Sequence, residues 1–221
     1  MSYILTATPA YHGDVTIQFH RSFIAMLRLA ITRNIELREG FTSDSFVSHS
    51  RNTAAAFALQ DPNCTHLLTI DADMGWEPNL LFDMIDADKD VIAAVYPRRT
   101  GNHQFLFQPD SPDRNPQYQS RFAPAKAVGC GFMLIKRSAL LTMRYQYPDR
   151  AYKDSTIPSL QIYDLFPSGA DLNRHVCITD DVGFCQLARA SGVKVYADLA
   201  ARCTHTGPAT VQIGSYLDNC A

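Results

Sequence analysis

His66-Leu67-Leu68-Thr69-Ile70-Asp71-Ala72-Asp73 is the stretch on which the fold turns. His66 to Ile70 has the length and apolar bias of a buried strand, and it ends in two carboxylates one residue apart. In open α/β sheets, ligands collect beyond the carboxyl ends of the strands. Two acids there can converge on a hard cation such as Mg²⁺ or Mn²⁺, whose other positions are filled by phosphate oxygens and water. Taken alone, Asp-x-Asp is common, and a helix cap beside a solvent-facing acid explains it equally well.

The flanking sequence reads as alternating strands and helices. Tyr3 to Thr8 is a buried strand stopped by Pro9. Asp14 or Thr16 caps a helix whose Phe19, Phe23, Met26, Leu27, Ala30 and Ile31 share one face. Ile35 to Phe41 is a short strand, Thr42 to Ser50 a polar loop and Arg51 to Gln60 an alanine-rich helix. Beyond Asp73, Pro78 sits near the first turn of a helix running to about Asp86, and Asp90 to Tyr96 is a strand. Ala127 to Lys136 is a strand broken by Gly129-Cys130-Gly131. Asp180 to Ser191 is a helix closed by Gly192, followed by a strand from Val193 to Ala197. This order predicts an α/β fold with a mostly parallel central sheet flanked by helices, as one domain over residues 1–221. The pattern fades over 97–124 and 145–175. Irregular segments of that length are functional loops or disordered ones.

Composition narrows the class. The 221 residues are 46% apolar and 19% charged with a net charge of −2, an ordinary globular balance with no global pull toward nucleic acid or anionic membrane. No apolar run approaches the roughly 20 residues of a membrane span. Met1 to Leu5 lacks the basic start and cleavage site of a signal peptide. The six cysteines form no Cys-x-x-Cys pair, which fits reduced thiols and a cytoplasmic protein.

Two further motifs carry chemistry. Thr179-Asp180-Asp181-Val182-Gly183-Phe184 opens the last helix. Capping and the helix dipole account for one acid there, and the second can supply a general base. The expected division is that Asp180 caps the helix and Asp181 points outward. His205 lies a few residues past the last strand, in a turn within Cys203-Thr204-His205-Thr206-Gly207-Pro208, and is a candidate metal ligand. Arg98 and Arg99 read as a solvated basic pair.

Together these pieces resemble the GT-A glycosyltransferases, in particular the family 2-like members. The resemblance runs from Thr6-Ala7-Thr8-Pro9 to His205, and its specific part is the order and spacing of individually weak matches. It implies a single GT-A domain with a Rossmann-like sheet. Thr8, Pro9, Ala10 and Tyr11 would hold the nucleobase. Ser50-Arg51-Asn52-Thr53-Ala54 is similar to an Arg-Asn element that touches the nucleotide, giving Arg51. Gly129-Cys130-Gly131-Phe132 resembles a glycine-rich strand lining the sugar site, giving Gly131. Asp71 would contact the nucleotide, and Asp71, Asp73 and His205 would hold Mn²⁺ or Mg²⁺. Asp181 would be the base of an inverting reaction, with Asp180 beside it. The donor implied is a UDP- or GDP-sugar and the acceptor a glycan hydroxyl. The acidic pair is Asp-Asp here, where the family's common form is Glu-Asp.

Three other readings share parts of the pattern. A haloacid-dehalogenase-like phosphatase also uses Asp-x-Asp after an apolar strand, although usually on its first strand. A sugar-phosphate nucleotidyltransferase would need a glycine-rich basic loop where Pro9-Ala10-Tyr11-His12-Gly13 stands. A catalytically inactive nucleotide-sugar-binding module would keep the fold without turnover.

Overall fold

The computed structural model describes residues 2–98, 105–110, 120–173, 175–207 and 211–212. Its centre is an eight-stranded sheet. The strands in chain order are β1 (Tyr3–Pro9), β2 (Glu36–Thr42), β3 (Cys64–Ile70), β5 (Val91–Ala94), β6 (Phe107–Pro109), β7 (Phe122–Val128), β8 (Phe132–Lys136) and β13 (Val195–Asp198). They lie side by side as β2-β1-β3-β8-β5-β13-β7-β6. β2, β1 and β3 pair in parallel, as do β5 and β13, while β8 and β7 run against their neighbours. Six of the eight strands therefore point one way, as the strand–helix alternation predicts.

Helices cover both faces: α1 (Ile17–Thr32) and α3 (Leu80–Asp86) on one, α2 (Val47–Gln60), α4 (Arg137–Gln146) and α5 (Asp180–Ala190) on the other. The two-residue strand period explains how one strand serves both layers. In β3, Leu67 packs toward α2 while Leu68 and Ile70 pack toward α1; in β5, Val91 and Ala93 face one core and Ile92 and Ala94 the other. Thr16 caps α1, its hydroxyl accepting from the Phe19 amide at 3.2 Å. Phe19, Phe23, Met26 and Ala30 form the buried stripe, but Ile31 is 72% exposed, one step too far around the helix.

Several expectations are corrected. α2 begins at Val47, four residues before the alanine-rich stretch. The single broken strand over 127–136 is two strands, β7 and β8, separated in the sheet by β5 and β13. The cause is the turn at Gly129-Cys130-Gly131, where the chain passes the Tyr96 ring. α4 has no counterpart in the sequence reading. The 145–175 segment and the three residues after it hold a 3-10 turn (Pro148–Arg150) and two hairpins. These are β9 (Ala151–Tyr152) with β10 (Ile162–Tyr163), and β11 (Gly169–Asp171) with β12 (Val176–Ile178). The 97–124 segment contributes β6 and the start of β7, and residues 99–104 and 111–119 of it lie outside the described residues. A further small sheet joins β4 (Met74–Trp76), β14 (Cys203–His205) and β15 (Val211–Gln212). Among the described residues no helix is long and apolar enough to cross a membrane. Cys64, Cys130, Cys177, Cys185 and Cys203 are free thiols.

One side chain ties these layers together. Arg51 in α2 is 5% exposed, and its Nη2 donates to Asp71 Oδ1 at 2.5 Å at the exit of β3. Its Nη1 donates to Asp180 Oδ2 at the start of α5. Burial alone pulls the guanidinium pKa down, but Asp71, with Asp180 behind it, outweighs that and holds it above its ordinary value. The neighbouring Asn52 fastens the chain on the other side. Its Oδ1 accepts from the amides of Leu165 and Phe166 at 2.9 and 2.8 Å, and its Nδ2 donates to Asp164 at 3.0 Å.

Removing one member of a buried ion cluster leaves the others uncompensated, at a cost of about 3–5 kcal/mol. Asp71 and Asp180 keep some contact with water, so Arg51→Ala is expected at the low end, about 3 kcal/mol. Urea unfolding measures it as a lowered midpoint at constant slope. Arg51→Lys, with one ammonium in place of a two-pronged fork, should recover only part of the loss. A change below about 1 kcal/mol for Arg51→Ala would show that the carboxylates do not depend on it.

Candidate active site

At the carboxyl ends of β1 and β3 lies a cleft of about 1040 Å³. Its walls include Pro9, Ala10 and Tyr11 at the end of β1, Arg51 from α2, Asp71 and Asp73 after β3, Asp180 and Asp181 at the start of α5, and His205 from β14. These are nine of the eleven residues singled out in the sequence. The other two do not line it. Thr8 is a buried β1 residue opposite Phe41, 2% exposed. Gly131 lies beneath the cleft floor.

The two glycines have a packing reason. A Cβ on Gly131 would stand 2.6 Å from the Tyr96 hydroxyl oxygen and 2.9 Å from Asp71 Oδ2, and one on Gly129 would also collide with Tyr96. The Gly131 amide donates to that oxygen at 2.8 Å, and its carbonyl accepts from the Asp71 amide at 3.0 Å. Gly131 thus seats Tyr96 and orients Asp71, in place of the direct sugar contact expected of it. Burial, with the Asp71 charge adding to it, pushes the Tyr96 phenol well above its ordinary pKa, so it stays protonated. Tyr96, which lines the cleft and meets His205 edge to face, was not singled out from sequence; the two glycines that accommodate it were its only trace.

His205 is not in a turn, as its sequence position suggested, but in β14. There it pairs with Met74 of the short strand directly after Asp73. That register brings His205 Nε2 to 3.5 Å from Asp73 Oδ1. Its Nδ1 lies 2.9 Å from the Pro97 carbonyl, an acceptor only, so Nδ1 carries the proton and Nε2 faces the carboxylate. Gly75 allows the close pairing, since any Cβ there would strike Thr204 Oγ1.

The acidic pair differs from expectation. Thr179 holds the cap position of α5, without a side-chain cap bond. Asp180 reaches across to Arg51 instead of folding back. Asp181 Oδ1 is the oxygen that turns to its own first turn, accepting from the Val182 amide at 2.8 Å and from the Thr179 hydroxyl. No hydrogen bond occupies its Oδ2 among the described residues.

Among the described residues, no three His, Cys, Asp or Glu side chains form a metal cluster. The expected Asp71–Asp73–His205 triad is not assembled, because Asp71 is turned to Arg51. Asp73 and His205 remain as a pair. Arg98 is solvent-exposed as expected but also lines the cleft, and Arg99 lies outside the described residues. Among the described residues the lining holds five carboxylates, with Asp14 the fifth, against the guanidiniums of Arg51 and Arg98. Cys130 also lines it, but burial pushes its thiol well above the ordinary range, so it is no thiolate nucleophile.

No family model and no curated protein matches this sequence. Solved structures do. A197 from STIV is 15% identical, over 94% of this chain and 86% of that one, with a TM-score of 0.54. A glycosyltransferase involved in glycosylation of the major capsid of PBCV-1 is 11% identical over 67% of each chain, TM-score 0.37. A Drosophila β1,4-galactosyltransferase 7 mutant in complex with manganese, UDP-Gal and xylobiose is 14% identical over 98% of this chain and 73% of that one, TM-score 0.41. Likeness at these identities is likeness of fold, and the A197 score is the one that carries it. The fold class implied by the glycosyltransferase resemblance, a central sheet with most strands pointing one way and helices on both faces, is the one observed.

Proposed function

We propose that this chain is a metal-dependent glycosyltransferase that moves a sugar from a nucleotide-diphosphate sugar, UDP- or GDP-linked, to a glycan hydroxyl. The observation that carries this reading is the Asp73–His205 pair, 3.5 Å apart at a strand exit, in a cleft that also holds the Pro9–Tyr11 wall and Asp181. One carboxylate and one imidazole of fixed tautomer are a fitting donor set for Mn²⁺ or Mg²⁺. Such cations are commonly held by one or two protein groups plus substrate phosphates, so a third protein ligand is not required. When bound, the cation would offset the charge that builds on the departing diphosphate. Among the described residues five carboxylates stand against two guanidiniums, and without a cation that part of the lining would repel an anionic donor.

The chain's own residues divide the remaining work. Tyr11, 58% exposed at the cleft mouth, offers a ring face to the base. No ion pair holds Arg98 among the described residues, and its charge is available to the diphosphate. Asp181 is the proton acceptor. The acceptor oxygen bonds to the anomeric carbon, the sugar–phosphate bond breaks with its electron pair leaving on the diphosphate, and the acceptor proton passes to Asp181 Oδ2. Asp180 serves instead as the partner of Arg51, which its Oδ2 holds. The phosphatase reading loses support on the same ground. Its nucleophile would be Asp71, whose Oδ1 is bonded to Arg51 and whose Oδ2 stands close over Gly131.

Two experiments test this. UDP or GDP should stabilise the fold only with Mn²⁺ present, by about 2.7 kcal/mol at a hundredfold excess over Kd, read as a raised unfolding midpoint. Asp73→Asn should remove the Mn²⁺-dependent part, and an equal rise without metal would contradict the assignment. Asp181→Asn should leave nucleotide affinity unchanged and lower kcat for transfer by on the order of 10²-fold or more. Asp180→Asn should instead lower stability, since it unpairs one arm of Arg51. Transfer by Asp181→Asn at the parent rate would remove Asp181 from the chemistry, and nucleotide binding without turnover on any acceptor would favour the inactive module.

A further inference from the structure

α1 packs on the core along one side only. Phe19, Phe23, Met26 and Ala30 face inward, and the opposite side carries Ile17, Arg21, Ile24, Arg28 and Ile31, all exposed. These five follow one another in alternate steps of four and three residues. They therefore form a single seam, within about 80° of the helix surface and about 21 Å long. Ile17 is 68% and Ile31 72% exposed, so the two ends of the seam are apolar groups left in water. We infer that this seam is a membrane-docking surface, which lays α1 along a bilayer that presents anionic lipid headgroups.

Charge points to the partner. α1 has no acidic residue in its 16 positions, and no ion pair engages Arg21 or Arg28 among the described residues. The two acids of the neighbouring α3 are already taken up, Asp83 by Arg121 at 2.8 Å and Asp86 by Arg33 at 3.8 Å. The net charge of −2 gives the chain no general attraction to an anionic surface, so such attraction has to come from a local patch of this kind.

The alternation of isoleucine and arginine separates a bilayer from a protein helix. In a dry helix–helix seam every second position here would bury a guanidinium, which needs a partner to offset its lost hydration. A second copy of α1 would add more guanidiniums to the same seam. At a headgroup layer the guanidiniums meet phosphate oxygens and water, while the isoleucines reach the acyl boundary just below. A free amphipathic helix keeps its cations on the water side. The other side of α1 is packed on the core, so apolar and basic groups share the outward one. Ile17 also lines the cleft, which places a docked bilayer beside the cleft mouth.

Flotation of the full chain with lipid vesicles tests this. Equimolar phosphatidylcholine and phosphatidylglycerol should bind about tenfold or more tighter than phosphatidylcholine alone, and added salt should weaken the binding. Arg21→Gln combined with Arg28→Gln should cut affinity for the anionic vesicles by about tenfold or more. Ile31→Ser should weaken it by about threefold or more, and Ile31→Trp, whose ring favours the interface, should strengthen it. Ile31 is exposed and does not line the cleft, so both variants should unfold at the parent midpoint. No vesicle binding, equal affinity for the two lipid compositions, or binding indifferent to the arginine pair or to Ile31 would each overturn the surface. So would binding of a Glu/Leu heptad peptide, dependent on Arg21 and Arg28, in place of vesicles, since it would assign the seam to a partner helix.

Discussion

The forked contact of one buried guanidinium with two carboxylates is the constraint on which the site depends. Arg51 meets Asp71, 20 residues later, and Asp180, 129 residues later, so it joins a helix, a strand exit and a helix start. Such a charge is tolerated in the interior only when its partners repay the lost hydration. The helix around it makes the burial possible: from Ser50 to Ala56 every residue of α2 is buried, and the small Ala54, Ala55 and Ala58 let the helix lie close on the sheet. A one-charge, one-prong side chain could not hold both carboxylates at once. Fold and site are therefore coupled: the side chains that shape the cleft floor are the same ones that keep α2, β3 and α5 in register.

Much of the architecture was legible because burial on both faces imposes a near-continuous apolar run on central strands. β3 and β5 were read from such runs, and α1 from its 3.6-residue stripe and the Thr16 cap. What escaped had local signals too weak or too ambiguous to decide. α4 presents only Ala139, Leu140 and Met143 to the core in a polar segment. β4 is three residues long and exists through its pairing with β14, more than a hundred residues away. The start of α2 was hidden because Val47-Ser48-His49-Ser50 shows no apolar period and Phe46, at the cap position, makes no side-chain cap bond. The stretch between the two small hairpins is held by contacts such as Asn52 with the Leu165 and Phe166 amides, which no local pattern announces.

The site was legible as a set of residues and less so as a set of roles. Strand exits and helix starts at one sheet edge converge for topological reasons, so Asp71, Asp73, Asp180, Asp181 and the Pro9–Tyr11 turn had to come together. Roles depend on what each side chain touches. Helix-capping logic gave Asp180 to the cap, but a buried guanidinium left without its partner costs about 3–5 kcal/mol against about 1 kcal/mol for an unfilled cap, and Asp180 turns to Arg51. Asp181 is the acid of the pair that Arg51 does not hold, and it lines the cleft.

The glycines carry the same lesson one step further. Gly129 and Gly131 were read as openings for a ligand, because absent side chains permit close approach. The approaching group is the protein's own Tyr96. Its ring lies edge to face with His205, while its hydroxyl oxygen accepts from the Gly131 amide, and the Gly131 carbonyl in turn accepts from the Asp71 amide. A contact chain thus runs from the histidine through the tyrosine and the glycine to the aspartate that Arg51 grips. His205, Tyr96, Gly131, Asp71 and Arg51 touch in sequence, each restricting the next, so the geometry of the candidate metal pair is set by packing that begins in the core beneath it.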